Sequence, residues 1–434
     1  MVFQRLLLAA LLLASPALGS AAPPSSAPAV PPAAAAAPEA PAPAAQEATS
    51  ADAPPAADAA AAAASGTESA PAPQGLEPGA TLPVVPGEAQ PDPASIPPVG
   101  PPPWGPLELL GEQVAPGEVR ELALRTSESF AGGGVDIPVV AIRGEKPGPT
   151  LCLTAGVHGD ELNGVEIVRE VLDTTRARGL AGTILGVPIV NIHGFQTSSR
   201  YLPDRRDLNR HFPGHPRGSV ASRIAHAVFE NVIRHCDALI DLHTGSFHRS
   251  NLPQIRADLK DERIVTLAKA FGATVVVHNR GAKGTLRRAA AEAGIPAIIY
   301  EAGEPMRFQR QEIKRGVIGV RNVLAHMEMQ KGGRVSLGEQ RIFFDTRWVR
   351  VEHGGILVSD VRLGDSVREG DILGSVTDPI RKEKSVVISP YRGRIIGMTL
   401  APVMLPGFAA FHIGIPGGRP VDNEDPVDHD DRPE

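Results

Sequence analysis

The stretch LCLTAGVHGDELNGVEIVRE, residues 151–170, changes its pattern halfway along. It begins as an apolar strand, turns on glycines, and continues with apolar side chains at helical spacing. His158, Asp160 and Glu161 lie at the turn. A strand that passes directly into a helix is the building unit of a sheet covered by helices, so this stretch predicts an α/β fold.

The same alternation continues along the chain. Strand-like runs occupy residues 135–144, 150–157, 182–191, 237–245, 273–279 and 295–303, and helical periodicity marks residues 161–179, 219–236 and 261–272. Strands that alternate with helices predict a mostly parallel sheet covered on both faces. In such sheets the reactive groups gather at the carboxyl ends of the strands, so polar residues there are the first candidates for a site.

Three of these strands end in strongly polar residues. His158 and Glu161 follow the second strand, and His243 and Glu301 lie at the ends of two later ones. Two imidazoles and a carboxylate with an open fourth position form the ligand set of a hydrolytic zinc centre. For residues 158–161 alone a second interpretation is equally good, in which Asp160 caps the helix and Glu161 offsets its dipole. The other strand ends favour the metal site, in which His158 and Glu161 bind the metal and Asp160 caps the helix that presents Glu161.

An arginine-rich segment, SSRYLPDRRDLNRHFPGHP, lies between the second and third of these candidate ligands, at residues 198–216. Its guanidinium groups at Arg200 and Arg210, together with the amide of Asn209, suit the capture of a carboxylate. The alternative is a solvated basic loop, which fits Arg205 and Arg206 best.

Four motifs in order, HGDE, RYLP…RDLNRHFPG, DLHTG and YEAGE, resemble the succinylglutamate desuccinylase/aspartoacylase family of zinc carboxypeptidase-like hydrolases. The resemblance covers roughly residues 111–329. It implies a three-layer αβα sandwich around a mixed, mostly parallel sheet. It also implies one zinc ion per chain, bound by His158, Glu161 and His243.

The same resemblance implies roles for five further residues. Glu301 would be the general base and acid, and Arg200 would polarise the scissile carbonyl. Asn209 and Arg210 would bind the substrate carboxylate, and Asp207 would orient the first histidine ligand. A ligating histidine usually needs a carboxylate or carbonyl on its other nitrogen, which supports the role of Asp207 independently.

Residues 245–258, GSFHRSNLPQIRAD, follow the third ligand and leave two interpretations open. His248, Asn251 and Arg256 could line an acyl pocket, or the segment could be a structural loop.

The pattern after about Gly333 changes to short alternating strands with Gly-Asp turns, which predicts a small C-terminal β-domain over residues 333–416. It resembles the barrel-sandwich hybrid of biotinyl and lipoyl domains. Lys382 and Lys384 lack the hairpin context that carries those cofactors, so we expect a structural or substrate-gating domain.

The two cysteines of the chain are Cys152 and Cys236. Their similar distances from the candidate ligands His158 and His243 would place them at similar depth on neighbouring strands. Because directly paired parallel strands seldom hold good disulfide geometry, two buried thiols are favoured over a disulfide.

The ends of the chain differ in composition from the rest. Residues 1–21 combine Arg5, a short apolar run and small residues, which predicts a secretory signal peptide; an uncleaved anchor is the alternative. Residues 22–103 are rich in Ala and Pro and predict a disordered tether, and residues 417–434 predict a disordered acidic tail. We therefore expect export to the periplasm, without a stable membrane span after cleavage.

Charge and site together lead to a functional prediction. The net charge is −6 and Lys and Arg are spread along the chain, so we expect no nucleic-acid partner. Residues 104–332 would form a zinc hydrolase domain that deacylates an N-acyl amino acid or a similar small carboxylate-bearing amide. The alternatives are a metallocarboxypeptidase or cell-wall peptide amidase, and a zinc-containing binding protein without turnover. The sequence does not indicate the acyl group or the oligomeric state.

Overall fold

The computed structural model describes residues 104–126 and 136–418. The predicted signal peptide, the tether and all but the first two residues of the acidic tail lie outside these ranges. Among the described residues, no helix combines the length and the apolar character needed to cross a membrane.

The described residues contain six α-helices. They are α1 (Leu162–Thr174), α2 (Ile192–Gln196), α3 (Val220–Asn231), α4 (Glu262–Phe271), α5 (Leu286–Glu292) and α6 (Arg310–His326).

The strands up to the end of the catalytic segment are β1 (Leu107–Leu109), β2 (Glu112–Val114), β3 (Val119–Arg125), β4 (Asp136–Arg143), β5 (Lys146–Ala155), β6 (Ala181–Val187), β7 (Ala238–His243), β8 (Arg249–Ala257), β9 (Val275–His278) and β10 (Ala297–Gly303). Those that follow are β11 (Arg341–Phe343), β12 (Asp345–Arg350), β13 (Gly355–Ser359), β14 (Ser366–Val367), β15 (Ile372–Thr377), β16 (Lys384–Ile388), β17 (Gly393–Thr399), β18 (Val403–Met404) and β19 (Ala409–Ile415).

The large sheet has a parallel centre and antiparallel flanks. Its main path runs β12-β19-β17-β8-β10-β7-β5-β6-β4-β3. Strands β10, β7, β5 and β6 are parallel to their neighbours in this group, whereas β8 and β4 join it antiparallel. The predicted mixed sheet with a parallel core is confirmed.

Helices lie on both faces of this sheet. Helices α1, α4 and α6 bury residues such as Ile167, Phe271 and Val320 in one apolar cluster. Helices α3 and α5 bury Phe229 and Leu286 in a second cluster on the other face. Burial of apolar area is the main stabilising contribution in such a layered fold. The predicted three-layer arrangement is confirmed.

The C-terminal strands do two things. Strands β16, β15, β13 and β18 form a small antiparallel sheet of their own. Strands β12, β19 and β17 instead extend the large sheet, because β17 pairs with β8. The predicted domain boundary at residues 332 and 333 stays a prediction, but the later strands are hydrogen-bonded into the sheet that carries the candidate site.

The two cysteines form a disulfide, so the favoured prediction of two buried thiols is wrong. Cys152 lies on β5 and pairs in register with Leu239, whereas Cys236 precedes β7 and follows a short 3₁₀ turn. The bond therefore does not join directly paired residues of parallel strands, which was the geometric objection to it. The Cα atoms are 5.7 Å apart, an ordinary separation for a disulfide.

Candidate active site

The parallel strands β5, β7 and β10 bring their carboxyl ends to one edge of the sheet. Glu301 is paired with His243, and Ala155 with Leu242, so β5 ends beside the strand that carries the second histidine. The turn after β5 approaches helix α2 closely: a Cβ at Gly159 would lie 1.9 Å from the Gly194 carbonyl carbon. Glycine is therefore required there for His158 to reach its place.

Three buried side chains form the donor cluster: His158, Glu161 and His243. Their ligand atoms all lie within 4.8 Å of one another. Nδ1 of His158 is 2.8 Å from Oε1 of Glu161, and Nδ1 of His243 is 2.8 Å from Oε2. One carboxylate thus stands between two imidazole nitrogens that point towards it.

A second acid lies behind each histidine. Nε2 of His158 is 3.3 Å from Oδ1 of Asp207, the predicted orienting acid. Nε2 of His243 is 2.8 Å from Oδ2 of Asp241, which was not among the predicted site residues. The signal was present, because Asp241 is an acid inside an apolar strand, two residues from His243 and therefore on the same face.

The pKa values in the donor cluster are set by mutual charge. Burial would raise the pKa of Glu161, but His158 and His243 hold it well below the usual range. Burial would lower the pKa of His243, but Asp241 and Glu161 raise it well above its ordinary value. The carboxylate is therefore ionised, and a metal that binds here must displace protons from the imidazoles.

The donor cluster fits a zinc ion. Two imidazoles and one carboxylate are the protein ligands of many catalytic zinc centres. Carboxylates on the outer nitrogens of both histidines fix the rings and leave each Nδ1 for the metal. His158, Glu161 and His243 are thus the residues that would hold the ion.

Asp207 joins Arg200 to the donor cluster. Its Oδ2 accepts a hydrogen bond of 2.8 Å from Nη2 of Arg200, while its Oδ1 faces His158. Nη1 of Arg200 is 3.4 Å from Oε1 of Glu161. The buried guanidinium therefore stands at the edge of the donor cluster, where a carbonyl bound near the metal would meet it.

A short 3₁₀ turn at Leu208–Arg210 presents the predicted carboxylate-binding residues. Asp207 caps this turn by accepting a hydrogen bond from the backbone N–H of Asn209. Oδ1 of Asn209 accepts a hydrogen bond of 2.8 Å from the N–H of Leu286, the first residue of α5. Nδ2 is then the group with which Asn209 would bind a substrate carboxylate, next to Arg210.

Glu301 is held by two donors from β8. Nδ2 of Asn251 lies 2.6 Å from Oε2 of Glu301, and Nη2 of Arg256 lies 3.2 Å from the same oxygen. For the segment that carries both, residues 245–258, the sequence left two interpretations: the lining of an acyl pocket or a structural loop. It is a nine-residue strand antiparallel to β10, and both residues line the cavity. The sequence did not predict this strand, because proline is rare inside sheets and Pro253 lies among polar residues.

The prediction that Asp160 caps α1 is wrong. The cap position is Glu161, which makes no side-chain capping bond, and the first helical residue is Leu162. Oδ1 of Asp160 is buried without a hydrogen-bond partner among the described residues. Asp160 lies one residue too early in the chain to reach the first helical N–H groups.

One cavity of about 580 Å³ contains seven of the eight predicted site residues; the eighth, Asp207, lies behind His158. Side chains from the C-terminal strands close one side of it. We call this part of the lining the C-terminal wall; it consists of Phe344, Asp345, Thr346, Arg347, Trp348, Arg350 and His412.

Positive charge predominates in the cavity. Seven arginines line it, against the three acids Glu161, Glu301 and Asp345. An excess of fixed cations within low-dielectric walls attracts anions. The cavity is therefore suited to a substrate that bears at least one carboxylate.

Known proteins resemble this chain in both sequence and structure. Residues 147–327 match the succinylglutamate desuccinylase/aspartoacylase catalytic domain. The N-alpha-acetyl-L-2,4-diaminobutyric acid deacetylase of Halomonas elongata is 30% identical over 269 residues, which cover 59% of this chain and 78% of that enzyme. The chain belongs to the succinylglutamate desuccinylase/aspartoacylase family. Members of this family are zinc-dependent hydrolases of amide bonds, and this chain is an enzyme of that kind.

Solved structures of the family extend the likeness beyond the catalytic domain. The product-bound ectoine utilization protein EutE (DoeB) of Ruegeria pomeroyi superposes with a TM-score of 0.63 at 28% identity, over 68% of this chain and 95% of that one. A succinylglutamate desuccinylase from a Silicibacter species gives a TM-score of 0.62 at 28% identity, over 69% and 94% of the two chains. The shared fold therefore includes C-terminal strands as well as the catalytic segment.

Proposed function

We propose that this enzyme removes the acyl group from an N-acyl amino acid or a similar small carboxylate-bearing amide, with zinc as its metal. The observation that carries the proposal is the convergence in one cavity of the donor cluster, the carboxylate of Glu301 and the pair Asn209 and Arg210. The Halomonas relative, which deacetylates an N-acetyl amino acid, supports the same substrate class.

The residues of the cavity divide the reaction between them. Zinc, when bound, lowers the pKa of a coordinated water and so makes it a nucleophile at neutral pH. Glu301 would accept a proton from the attacking water and return it to the leaving amine, which is general base and acid catalysis by one group. Arg200 donates hydrogen bonds to the carbonyl oxygen as negative charge develops there. Asn209 and Arg210 bind the substrate carboxylate and so position the scissile amide next to Glu301.

The C-terminal wall favours a small substrate over a peptide. A metallocarboxypeptidase or cell-wall amidase needs a cleft in which a long chain can lie, whereas here the strands β12 and β19 contribute side chains to the cavity lining. A zinc-containing binding protein would not need a carboxylate at Glu301.

Export to the periplasm is also part of the proposal; it rests on the composition of residues 1–21.

Amine release by the purified, zinc-loaded protein tests this function. The panel would pair N-acetyl, N-succinyl and N-formyl derivatives of aspartate, glutamate and diaminobutyrate with free-carboxylate dipeptides and cell-wall peptides. We expect turnover of N-acyl amino acids that a chelator abolishes and zinc restores. Turnover of the peptides alone would establish the carboxypeptidase or amidase instead.

Glu301→Gln is the matched test of the mechanism. It should retain zinc and substrate binding but lower kcat by about 10²- to 10⁴-fold, the usual contribution of a general base. Glu230→Gln, on the exposed side of α3, is the control and should behave as wild type. Stoichiometric zinc without turnover of any compound would favour the binding protein.

A further inference from the structure

A row of paired residues crosses four neighbouring strands from Asn251 to the C-terminal wall. Asn251 on β8 is paired with Gly397 on β17, and Gly397 is paired with His412 on β19. His412 is paired in turn with Trp348 on β12. Directly paired residues place their side chains on the same face of a sheet, so the row faces the cavity together with Glu301.

Gly397 leaves the space in this row that the side chain of Asn251 uses. A Cβ at position 397 would lie 2.8 Å from Oδ1 of Asn251 and 3.7 Å from Nδ1 of His412. The first distance is shorter than real Cβ contacts. The amide oxygen of Asn251 thus points away from Glu301, towards the glycine, and the imidazole of His412 bounds the far side of the same space.

His412 is a neutral, firmly held imidazole. It is 5% exposed and stacks on Trp348 with ring centroids 4.5 Å apart and planes inclined by 7°. Arg249 covers Trp348 at 4.6 Å. Burial, together with the nearby Arg256 and Arg249, holds the pKa of His412 well below its ordinary value. Its Nδ1 is buried without a hydrogen-bond partner among the described residues.

We propose that Gly397 and His412 are positioning residues that act through Asn251 to orient the carboxylate of Glu301. The inference rests on the proposed function, because it takes Glu301 as the general base. Neither residue belongs to the catalytic motifs of the chain. Both come from strands of the C-terminal segment, which in this way becomes part of the catalytic apparatus.

The asymmetry of the amide gives the physical reason. Asn251 must turn its NH₂ group to Glu301, because the reversed amide would set its oxygen against a carboxylate oxygen at 2.6 Å. The orientation is favoured when a hydrogen-bond donor lies on the opposite side. His412 borders that side, and its Nδ1, which makes no hydrogen bond among the described residues, is the group that can supply the N–H. With Oε2 of Glu301 fixed by Asn251 and Arg256, the other oxygen is left to carry the proton.

The test uses the full-length, zinc-loaded enzyme and the substrate found best in the panel. Gly397→Ala would displace the amide of Asn251 from its present place beside Glu301, and His412→Phe would keep the stack on Trp348 but remove the N–H. We expect each to lower kcat by about tenfold or more with little change in KM, since small misplacement of a catalytic group costs rate rather than binding. Zinc stoichiometry should stay at the wild-type value.

Two further variants separate positioning from a general structural effect. His412→Gln, which restores an N–H donor, should recover part of the kcat that His412→Phe loses. In an Asn251→Ala background, His412→Phe should cause no further loss, because the residue through which it acts is gone. Gly332→Ala is the control for the glycine, since a Cβ there meets no atom within 4 Å.

The outcomes discriminate between the two proposals. Wild-type kcat in Gly397→Ala and His412→Phe would overturn the inference, as would losses that simply add to that of Asn251→Ala or that appear in KM instead of kcat. If Gly397→Ala fails to fold, the double-mutant cycle of His412→Phe and Asn251→Ala is sufficient to test the inference. Wild-type turnover by Glu301→Gln would instead overturn the proposed role of Glu301, whatever the kcat of Gly397→Ala and His412→Phe.

Discussion

The donor cluster and the C-terminal wall face the same cavity but are assembled in different ways. The donor cluster comes from two short motifs, residues 158–161 and His243, on adjacent strands. The C-terminal wall comes from residues 344–350 and His412, and depends on the pairing of β12, β19 and β17 with β8. The chemistry of the site is thus encoded locally, whereas the shape of its cavity is encoded by sheet register over long distances.

The two regions also balance charge differently. Each histidine of the donor cluster has an acid behind it, and the central carboxylate lies between the two rings. The C-terminal wall contributes Arg347, Arg350 and a neutral histidine against one acid, Asp345. A balanced cluster can hold a cation, and an arginine-rich wall can receive an anionic substrate. The two regions are therefore suited to different partners, the donor cluster to a metal cation and the C-terminal wall to an anionic substrate.

Removal of a ligand from the donor cluster should have the largest effect. His243→Ala leaves a histidine and a carboxylate, too few for a stable catalytic zinc site. We expect loss of stoichiometric zinc and a fall in kcat/KM of at least about 10³-fold, or about 4 kcal/mol, relative to wild type. Metal analysis and the amine-release assay would measure both.

His353→Ala, an exposed histidine outside the cavity, is the control for that variant. Retention of zinc and turnover by His243→Ala would mean that the donor cluster does not hold the catalytic metal.

Removal of the disulfide should have the next largest effect, on stability. The bond joins β5 to the segment that precedes β7, at residues 84 apart in the sequence, and both cysteines of the chain belong to it, so the C-terminal wall has no such cross-link. Replacement of Cys152 and Cys236 by Ala should lower the free energy of unfolding by about 4 kcal/mol, because the unfolded chain regains the entropy of that loop. Denaturant unfolding of the oxidised wild type and the double variant measures the difference.

The disulfide variant should keep the wild-type kcat at temperatures where it is folded, since neither cysteine lines the cavity. An unchanged free energy of unfolding would contradict the prediction and indicate that the unfolded state is already compact around this loop.

Loss of an acid behind a histidine should have an intermediate effect. Asp241→Asn removes the charge that supports His243 and should weaken zinc binding by about 10- to 100-fold, or about 1.4 to 2.7 kcal/mol. Asp207→Asn should weaken zinc binding similarly and also lower kcat at saturating zinc, because Asp207 holds Arg200 as well. Competition titration with a zinc chelator and kinetics at saturating zinc separate the two effects. Equal kcat in both variants would show that Arg200 keeps its place without Asp207.

Sequence alone could predict what depends on local pattern. The alternation of strands and helices and the polar strand ends placed His158, Glu161, His243 and Glu301 at one sheet edge, where the structure has them. Asp241 was within reach of the same reasoning, because an acid inside an apolar strand needs a partner.

The features that could not be predicted from the sequence depend on pairing between distant segments. Strand β8 was obscured by Pro253, and its pairing with a C-terminal strand leaves no mark in either stretch. The disulfide was misjudged because the start of β7, and not the spacing of the cysteines from the histidines, decides how they face each other. The role of His412 cannot be derived from its own surroundings in the sequence, because its partners are on other strands.

The pH dependence of stability tests the neutral state of His412 and should give the smallest effect. The pKa of His412 is held well below its ordinary value in the folded protein, whereas in the unfolded chain it returns to about 6.5. Below that pH the unfolded chain binds more protons, so this residue lowers the free energy of unfolding as the pH falls. Phenylalanine at position 412 lacks this contribution.

The stability advantage of the wild type over His412→Phe should therefore shrink by about 1 kcal/mol between about pH 7 and about pH 5.5. The histidines of the donor cluster titrate in both proteins and cancel in the difference. Denaturant unfolding of the two proteins at each pH gives the comparison. A difference that stays constant with pH would mean that His412 takes up a proton in the folded protein, and the C-terminal wall would then carry one more positive charge than the structure assigns to it.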